Sequence, residues 1–391
     1  MDNKKIFVYG QYLSHLVAST LNSTVPDSPF ENMDWAQLYK LANFHNLTAL
    51  VYPALKDLPV PADVLQNWKY ATNRLIARET RQAIEADMIF GILKKESIPF
   101  IRMKGIVTKN FYPAPYMRTQ ADVDICMSEE HRKYCSSIMN KLGYEIFSVA
   151  ENTDEYVKDN FYYYELHSSV YPTTSAFYDI FKDPFSKATE SCDGTGYVFT
   201  DEYFYLHLIT HLYKHFITEG CGIRLLCDLY IYNKSHQNLD YDFINSVLKE
   251  HKLDKFHESL ISLNEALFGN KEYTQDQIDI ATFIFSCGDH GSDTIRRLTN
   301  SNPDKIESYS KKNKLRFALE IYFPKADTLK NRYHVLEKAP VLLPFFWVVR
   351  GFSTLFFKRD ALKKQNEIIR SVNSQETQEA MRVQTLMGIR D

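Results

Sequence analysis

With 391 residues, the chain is long enough for two or three domains that each bury a core of their own. Hydrophobic residues make up 45% and charged residues 24%, which is typical of a soluble globular protein, and the scarcity of Gly, 13 in all, argues against a barrel or a Gly-rich dinucleotide-binding fold. The formal net charge is −3, but residues 301–391 contain 17 Lys and Arg against 10 Asp and Glu. This basic segment is interpreted in one of two ways: as a surface that binds nucleic acid or an acidic partner, or as a solvated helical face.

The sequence predicts a cytoplasmic protein without an integral membrane segment. The six Cys form no CxxC pair, which suits free thiols in a reducing compartment, and the N-terminus lacks the apolar region of a signal peptide. The most apolar run, Ala339–Val349, has 11 residues and contains two prolines, so it is too short to span a bilayer.

Residues 1–95 are predicted to be helical. Asp34 precedes apolar residues at helical spacing and is placed to cap them, and Pro61–Lys95 has the pattern of one long helix. Arg74, Arg78 and Arg81 lie on the side of that helix opposite its apolar positions. They form either a solvated face or a set from which one side chain contacts a substrate phosphate.

A strand and a helix start are predicted next. Phe100–Met103 is an apolar strand, and a helix over Gly105–Phe111 follows directly on Lys104. The free N–H groups and the positive dipole end of a helix attract phosphates, and Gly lets the backbone approach them closely. The pair Lys104-Gly105 is weak evidence alone, but only 16 residues separate Gly105 from a pair of acids.

Those acids are Asp122 and Asp124, in a segment that has the pattern of a strand. Alternate side chains of a strand share a face, so the two carboxylates project the same way from Cα atoms roughly 6.5 Å apart, while Val123, Ile125 and Met127 face the core. Carboxylates this close repel each other unless a cation lies between them. The pair therefore indicates Mg²⁺ chemistry.

Further elements follow up to residue 200. A helix is predicted over Glu129–Leu142, a strand over Tyr144–Val149 and an extended aromatic run over Phe161–Val170. In that run Tyr163, Glu165, His167 and Ser169 share a face. Residues 171–200 contain scattered Pro and Gly and are predicted to form a flexible loop over the site.

The remainder of the chain is predicted to be helical. Tyr203–Thr218 carries His207, His211 and His215 on one stripe, whose ends lie roughly 12 Å apart, so one metal ion cannot bind all three. Arg224 and Asp228 are four residues apart and are candidates for a salt bridge on the next helix. Helices are further predicted over Phe243–Lys249, Phe256–Leu267, Gln275–Phe285, Lys314–Tyr322 and Ala339–Phe357, with residues 371–391 a helix or a loose tail.

Four short motifs occur in a fixed order within residues 98–127. They are Lys104-Gly105, Tyr112-Pro113-Ala114-Pro115, Arg118 and Asp122-Val123-Asp124. Together they resemble the uncharacterised bacterial nucleotidyltransferases of the polymerase-β-like superfamily, over roughly residues 30–360. Lys104-Gly105 stands where most members of that superfamily have Gly-Ser or Gly-Gly.

The resemblance implies an α+β fold, in which a small mixed β-sheet core is flanked by N-terminal helices and a larger C-terminal helical region. The implied domains are an N-terminal helical region at 1–95, a nucleotidyltransferase core at 96–200 and a C-terminal helical domain at 201–391. Glu165 becomes the third acid beside Asp122 and Asp124, and the three are the implied catalytic and metal-binding residues, with Mg²⁺ or Mn²⁺ as the metal. The implied nucleotide-binding residues are Lys104, Gly105, Arg118, His167, His211 and Arg224.

The predicted function is Mg²⁺-dependent transfer of a nucleoside monophosphate from an NTP, with release of pyrophosphate, to an unidentified small molecule, peptide, protein or RNA. Glu165 would act as the base that takes the proton of the acceptor, as a metal ligand, or as both. One alternative is a metal-dependent Asp-x-Asp glycosyltransferase, although the first 95 residues are predicted to be helical where such enzymes have a parallel α/β domain. The other is a binding or scaffold protein on a degenerate transferase core, against which the three intact acids argue.

Overall fold

The computed structural model describes residues 2–269, 271–289, 291, 292, 295, 296, 323, 329, 335, 339–348 and 375–390. It divides the chain into two compact units. The first consists of Met1–Lys214, Cys221–His290 and Leu386–Asp391, and the second of His215–Gly220 and Gly291–Thr385. The division of the chain at residues 95 and 200 stays a prediction.

The first unit begins with helices, as predicted. They are α1 (Asn3–Asn22), α2 (Trp35–Phe44), α3 (Thr48–Val51) and α4 (Ala62–Lys95). The Asp34 carboxylate caps α2 by accepting hydrogen bonds from the backbone N–H groups of Ala36 and Gln37. The long run after Pro61 is one uninterrupted helix, so both N-terminal helix predictions are confirmed.

A mixed sheet of seven strands follows the N-terminal helices. Its strands are β1 (Ile101–Arg102), β2 (Asp122–Cys126), β3 (Glu145–Val149), β4 (Thr153–Lys158), β5 (Tyr162–His167), β6 (Ala188–Glu190) and β7 (Tyr197–Phe199). Their order is β3-β4-β5-β2-β1-β7-β6. The central strand β2 is parallel to its neighbour β5, and their register places Asp124 opposite Glu165. The predicted α+β fold is confirmed.

A hydrophobic core, the sheet core, lies between one face of this sheet and two helices, α4 and α6 (Glu129–Lys141). Val123, Ile125 and Met127 are buried in it, as the alternation of β2 predicted. On β5 the side chains of Tyr164 and Leu166 enter the same core. Because side chains alternate along a strand, the acids of β2 and β5 project from the opposite face.

The prediction of a flexible loop over residues 171–200 is wrong in part. Two short strands, β6 and β7, form a hairpin there, and β7 pairs in parallel with β1. Three residues per strand give too few alternations to be recognised from sequence. Gly196 has φ +77°, a conformation that favours Gly in the turn between the two strands. A Cβ at this position would also lie only 2.8 Å from the Phe100 carbonyl oxygen.

Helices complete the described part of the chain. They are α7 (Asp201–Thr218), α8 (Ile223–Ser235), α9 (Tyr241–Glu250), α10 (Asp254–Phe268), α11 (Gln275–Cys287) and α12 (Gln375–Leu386). They confirm the helices predicted up to residue 285 and the helical alternative for residues 371–391. The helix predicted over Lys314–Tyr322 and much of the one over Ala339–Phe357 lie outside the described residues. Among the described helices, none has the length and apolarity that a membrane span requires.

His45 is a hydrogen-bonded core residue of the first unit. Its side chain is fully buried, with Nε2 3.1 Å from the Phe285 carbonyl oxygen, and the Ile223 N–H donates to Nδ1 at 3.4 Å. Nδ1 therefore accepts and Nε2 donates, which requires a neutral ring. Burial lowers the pKa of His45 to about 4.

We expect the free energy of unfolding to decrease as the pH falls from 6.5 to about 4 through the titration of His45. In this window the unfolded state binds a proton that the folded state excludes, so acidification favours unfolding by on the order of 3 kcal/mol at the lower limit. Urea unfolding of the wild type and of His45→Gln should show a smaller pH slope in the variant. Equal slopes would mean that folding does not lower the pKa of His45.

Candidate functional site

The face of the sheet opposite the sheet core carries a cluster of acids and one imidazole. One ligand atom each from Asp124, Glu165 and His167 lies within 4.8 Å of the others. Asp124 and Glu165 face each other across the β2–β5 pair, and His167 stands two residues further along β5. The predicted third acid is thus adjacent to the predicted Asp-x-Asp strand. His167, predicted to contact nucleotide, belongs to the same cluster.

Lys104 contacts this acid cluster. Its Nζ lies 2.5 Å from Asp124 Oδ1 and 3.7 Å from Glu165 Oε2. Burial opposes the charge on the ammonium, but the carboxylates of Asp124, Glu165 and Asp122 outweigh burial and raise the pKa of Lys104. The side chain is therefore a permanent cation among the acids.

The two aspartates of β2 are in different electrostatic environments. Burial and the neighbouring charge of Asp124 raise the pKa of Asp122 to about 6, although Lys104 opposes them. Burial would also raise the pKa of Asp124, but the Lys104 ammonium and a hydrogen bond from His167 lower it below its ordinary range. Asp124 is thus the paired carboxylate, and Asp122 is the one whose negative charge is least well compensated.

His167 is held by two carboxylates and a hydroxyl. Its Nε2 lies 3.0 Å from Asp124 Oδ1 and 3.2 Å from Glu165 Oε2, and its Nδ1 lies 2.9 Å from Thr153 Oγ1. Burial disfavours the imidazolium, but the hydrogen bonds to Asp124 and Glu165 raise the pKa of His167 above its ordinary value. The strand β4, which supplies Thr153, was not predicted.

The donor set and its dimensions fit a divalent cation. Ligand atoms around an octahedral Mg²⁺ lie roughly 3 to 4 Å apart, which is close to the spacing of the ligand atoms of Asp124, Glu165 and His167. For His167 to ligate the ion, its Nε2 would have to lose the proton that it shares with the two carboxylates. Carboxylate oxygens suit Mg²⁺, and an imidazole nitrogen is better suited to Mn²⁺. Lys104 would have to give up its contact with Asp124 when such an ion binds.

The predicted helix start at Lys104-Gly105 is present, but the helix is short. It comprises α5 (Gly105–Thr108) and a 3₁₀ turn over Lys109–Phe111. Gly105 is required by close packing, because a Cβ there would lie 2.2 Å from Arg118 Nη1. Lys104 has φ 51°, an unusual conformation for a residue other than Gly.

Arg118 forms a buried ion pair with α8 in the structure. Its guanidinium donates to both carboxylate oxygens of Asp228, at 3.2 and 2.8 Å, and the Tyr112 hydroxyl donates to the same carboxylate at 2.8 Å. The side chains of Arg118 and Asp228 are almost fully buried. This pair links the segment between β1 and β2 to α8.

Arg224 contacts Asp289 and not Asp228, so the predicted salt bridge within α8 is wrong. Its guanidinium donates to both oxygens of Asp289, at 2.6 and 3.0 Å, and to the Thr119 carbonyl oxygen at 3.2 Å. Helical spacing predicted proximity to Asp228, but Arg118 occupies that carboxylate.

His207 and His211 line a small cavity together with Lys104, Arg118 and Asp228. The two imidazole rings are stacked with their centroids 6.1 Å apart. His207 is 2% exposed, neither of its ring nitrogens has a hydrogen-bond partner, and burial lowers its pKa to about 3. The prediction placed His211 at the centre of the nucleotide site with His207 and His215 beside it, and in the structure His207 is more deeply buried than His211.

A family model described as an uncharacterised nucleotidyltransferase matches residues 31–269, more than half of the chain. The matched segment contains the acid cluster, the small cavity and α8. No curated protein and no solved structure matches the chain.

Proposed function

The chain belongs to this family of uncharacterised nucleotidyltransferases, and we propose that it transfers a nucleoside monophosphate from an NTP to an acceptor in a reaction that depends on Mg²⁺ or Mn²⁺ and releases pyrophosphate. The observation that carries the proposal is the register of β2 and β5, which brings Asp124 and Glu165 together on the same face of the sheet. Two non-adjacent segments thus supply one cluster of cation ligands.

Asp124 and Glu165 would hold the metal, with Asp122 and His167 beside them. When bound, the metal would neutralise charge on the triphosphate and increase the acidity of the acceptor. The Lys104 ammonium, released from Asp124, is within reach of the same region and would stabilise negative charge on the phosphates.

Glu165 is the acid best placed to accept the proton of the acceptor. Its side chain is 26% exposed, whereas that of Asp124 is 3% exposed. A group that exchanges a proton with an incoming molecule must be accessible to it. Asp124, held by Lys104 and His167, is better suited to a fixed ligand role.

The acceptor substrate and the preferred base are found by a transfer assay. The full-length protein is incubated with each α-labelled NTP, with and without Mg²⁺, in the presence of a cell lysate. Metal-dependent label in one lysate fraction supports the proposal and identifies the acceptor class. Absence of label with all four NTPs and with either metal would contradict it.

The glycosyltransferase alternative finds no support in the fold. The described residues before β1 form helices α1 to α4, and no parallel α/β nucleotide domain precedes the Asp-x-Asp strand among them. The scaffold alternative leaves unexplained why Asp124 and Glu165 are kept together with two cationic side chains. Buried charges are costly to maintain.

We expect Glu165→Gln to lower kcat by about 10²- to 10⁴-fold, the usual contribution of a general base, with a smaller effect on NTP affinity. Gln cannot accept the proton but occupies the same volume. Steady-state kinetics and direct NTP titration of the same preparation separate the two effects. Equal losses of affinity and rate would instead make Glu165 mainly a ligand for the metal–nucleotide complex.

A further inference from the structure

A groove lined by arginines lies near the start of β2. It encloses about 1090 Å³, including its open mouth. Its lining residues come from α2, α4 and the turn before β5, and they include Tyr39, Arg74, Arg78, Arg81 and Phe161. None of them also lines the small cavity of His207 and His211. The groove is therefore a separate candidate binding site.

Arg74, Arg78 and Arg81 carry positive charge that no acid in the groove neutralises. They recur at helical spacing on α4, and the lining contains neither Asp nor Glu. Within residues 2–289, as far as the structure describes them, these three arginines form no ion pair. The other four arginines of that segment each pair with a carboxylate, namely Arg102 with Asp193, Arg118 with Asp228, Arg132 with Glu129 and Asp154, and Arg224 with Asp289. The uncompensated charge favours an anionic ligand.

The groove adjoins the segment that carries the acids. Arg78 Nη2 donates to the Gln120 carbonyl oxygen at 3.0 Å, and Gln120 precedes Asp122 by two residues, roughly 7 Å of extended chain. Phe161 precedes β5, whose Tyr163 pairs with Asp122. A ligand in the groove thus lies next to the end of β2 where the first acid stands.

Gln120 lies between the groove and the helix start at Gly105. Its side chain is buried, and neither its amide nitrogen nor its amide oxygen has a hydrogen-bond partner. A Cβ on Gly105 would lie 3.2 Å from that oxygen. Gln120 thus connects the groove, through its backbone oxygen, to the helix start, through its side chain.

We propose that the groove binds the acceptor of the nucleotidyl transfer and that this acceptor carries a phosphate group, an inference that rests on the proposed function. Guanidinium groups bind phosphate oxygens in a bidentate manner, and three of them line the groove. Tyr39 and Phe161 are the aromatic lining residues and would pack against the sugar or base attached to that phosphate.

The reaction that follows is balanced without a further reactant. An acceptor hydroxyl oxygen forms a bond to the α-phosphorus of the NTP, and the bond between that phosphorus and the oxygen bridging to the β-phosphate breaks. Pyrophosphate leaves with the electron pair of that bond, and the hydroxyl proton passes to Glu165. The phosphate of the acceptor, held by the arginines, takes no part in the chemistry.

The test uses the full-length chain with Arg74→Gln and Arg81→Gln combined. Arg78 is left in place because it supports the Gln120 backbone. The matched control is Lys69→Gln combined with Lys95→Gln, which removes the same charge from exposed positions of the same helix outside the groove lining. Calorimetric titrations use ribose 5-phosphate, a single-stranded RNA octanucleotide, unphosphorylated ribose and MgATP.

We expect the arginine variant to bind at least one phosphorylated probe about tenfold or more weakly than the wild type, the loss of one or two charge-assisted contacts. The affinity of the lysine control for the phosphorylated probes should change by less than about twofold, since a surface charge outside a site contributes little. The affinity of the arginine variant for MgATP should also change by less than about twofold. Binding of ribose 5-phosphate would indicate a free phosphomonoester acceptor, and binding of the octanucleotide alone a nucleic acid strand.

Three results would overturn the inference: wild-type protein that binds neither phosphorylated probe, ribose bound as tightly as ribose 5-phosphate, or MgATP affinity lost in parallel with probe affinity. The last would assign the groove to the triphosphate. Failure of the proposed function has a different signature. Neither MgATP nor the Mg²⁺ complex of any other NTP would then bind the wild type, while ribose 5-phosphate or the octanucleotide still distinguished it from the arginine variant.

Discussion

Replacement of Asp124 by Asn is expected to lower the rate of nucleotidyl transfer by on the order of 10³-fold, the loss typical of removing one electrostatic group from a reaction centre. The change removes the carboxylate that contacts both Lys104 and His167 and that would bind the metal. Transfer of label from the preferred NTP, measured at saturating Mg²⁺, gives the effect. An exposed aspartate, Asp57, provides the control through Asp57→Asn, which should leave the rate unchanged.

Asp124→Asn and Asp122→Asn should change the free energy of unfolding in opposite directions. The pKa of Asp124 is lowered by its partners, so Asp124→Asn removes a stabilising charge and should decrease the free energy of unfolding at neutral pH. The pKa of Asp122 is raised to about 6 by burial and by Asp124, so Asp122→Asn should increase it. Full activity in both variants would contradict the metal-binding role of this strand.

The site was partly predictable because its key feature is local. The alternation of β2 placed Asp122 and Asp124 on one face and the apolar residues on the other, and the alternation of β5 did the same for Glu165. Periodicity does not determine which strand pairs with which. The parallel pairing that brings Asp124 opposite Glu165 could be anticipated only from the resemblance to a family.

The partners of the arginines were beyond sequence reasoning for a related reason. Arg118 and Asp228 are 110 residues apart, so no local pattern connects them. Arg224 stands one helical turn from Asp228, yet pairs with Asp289, because the tertiary fold gives each guanidinium a different carboxylate. Spacing predicts which residues are able to meet, while packing decides which of them do.

Replacement of Arg118 tests whether this residue binds the nucleotide or has a structural role. Replacement by Met should decrease the free energy of unfolding by about 3–5 kcal/mol, because it leaves the Asp228 carboxylate buried with only the Tyr112 hydroxyl to solvate it. Urea unfolding followed by circular dichroism measures the loss. The structural role also predicts that NTP affinity of the folded variant stays close to that of the wild type.

A double-mutant cycle with Asp228→Leu decides between the roles. When both partners are replaced by apolar side chains of similar size, no buried charge is left uncompensated, so Arg118→Met combined with Asp228→Leu should recover much of the stability that Arg118→Met loses. If Arg118→Met instead unfolds like the wild type and binds NTP far more weakly, the guanidinium must leave Asp228 to contact the nucleotide. Recovered stability with unchanged NTP affinity would instead show that the pair holds the β1–β2 segment against α8, and that positive charge near the phosphates comes from Lys104.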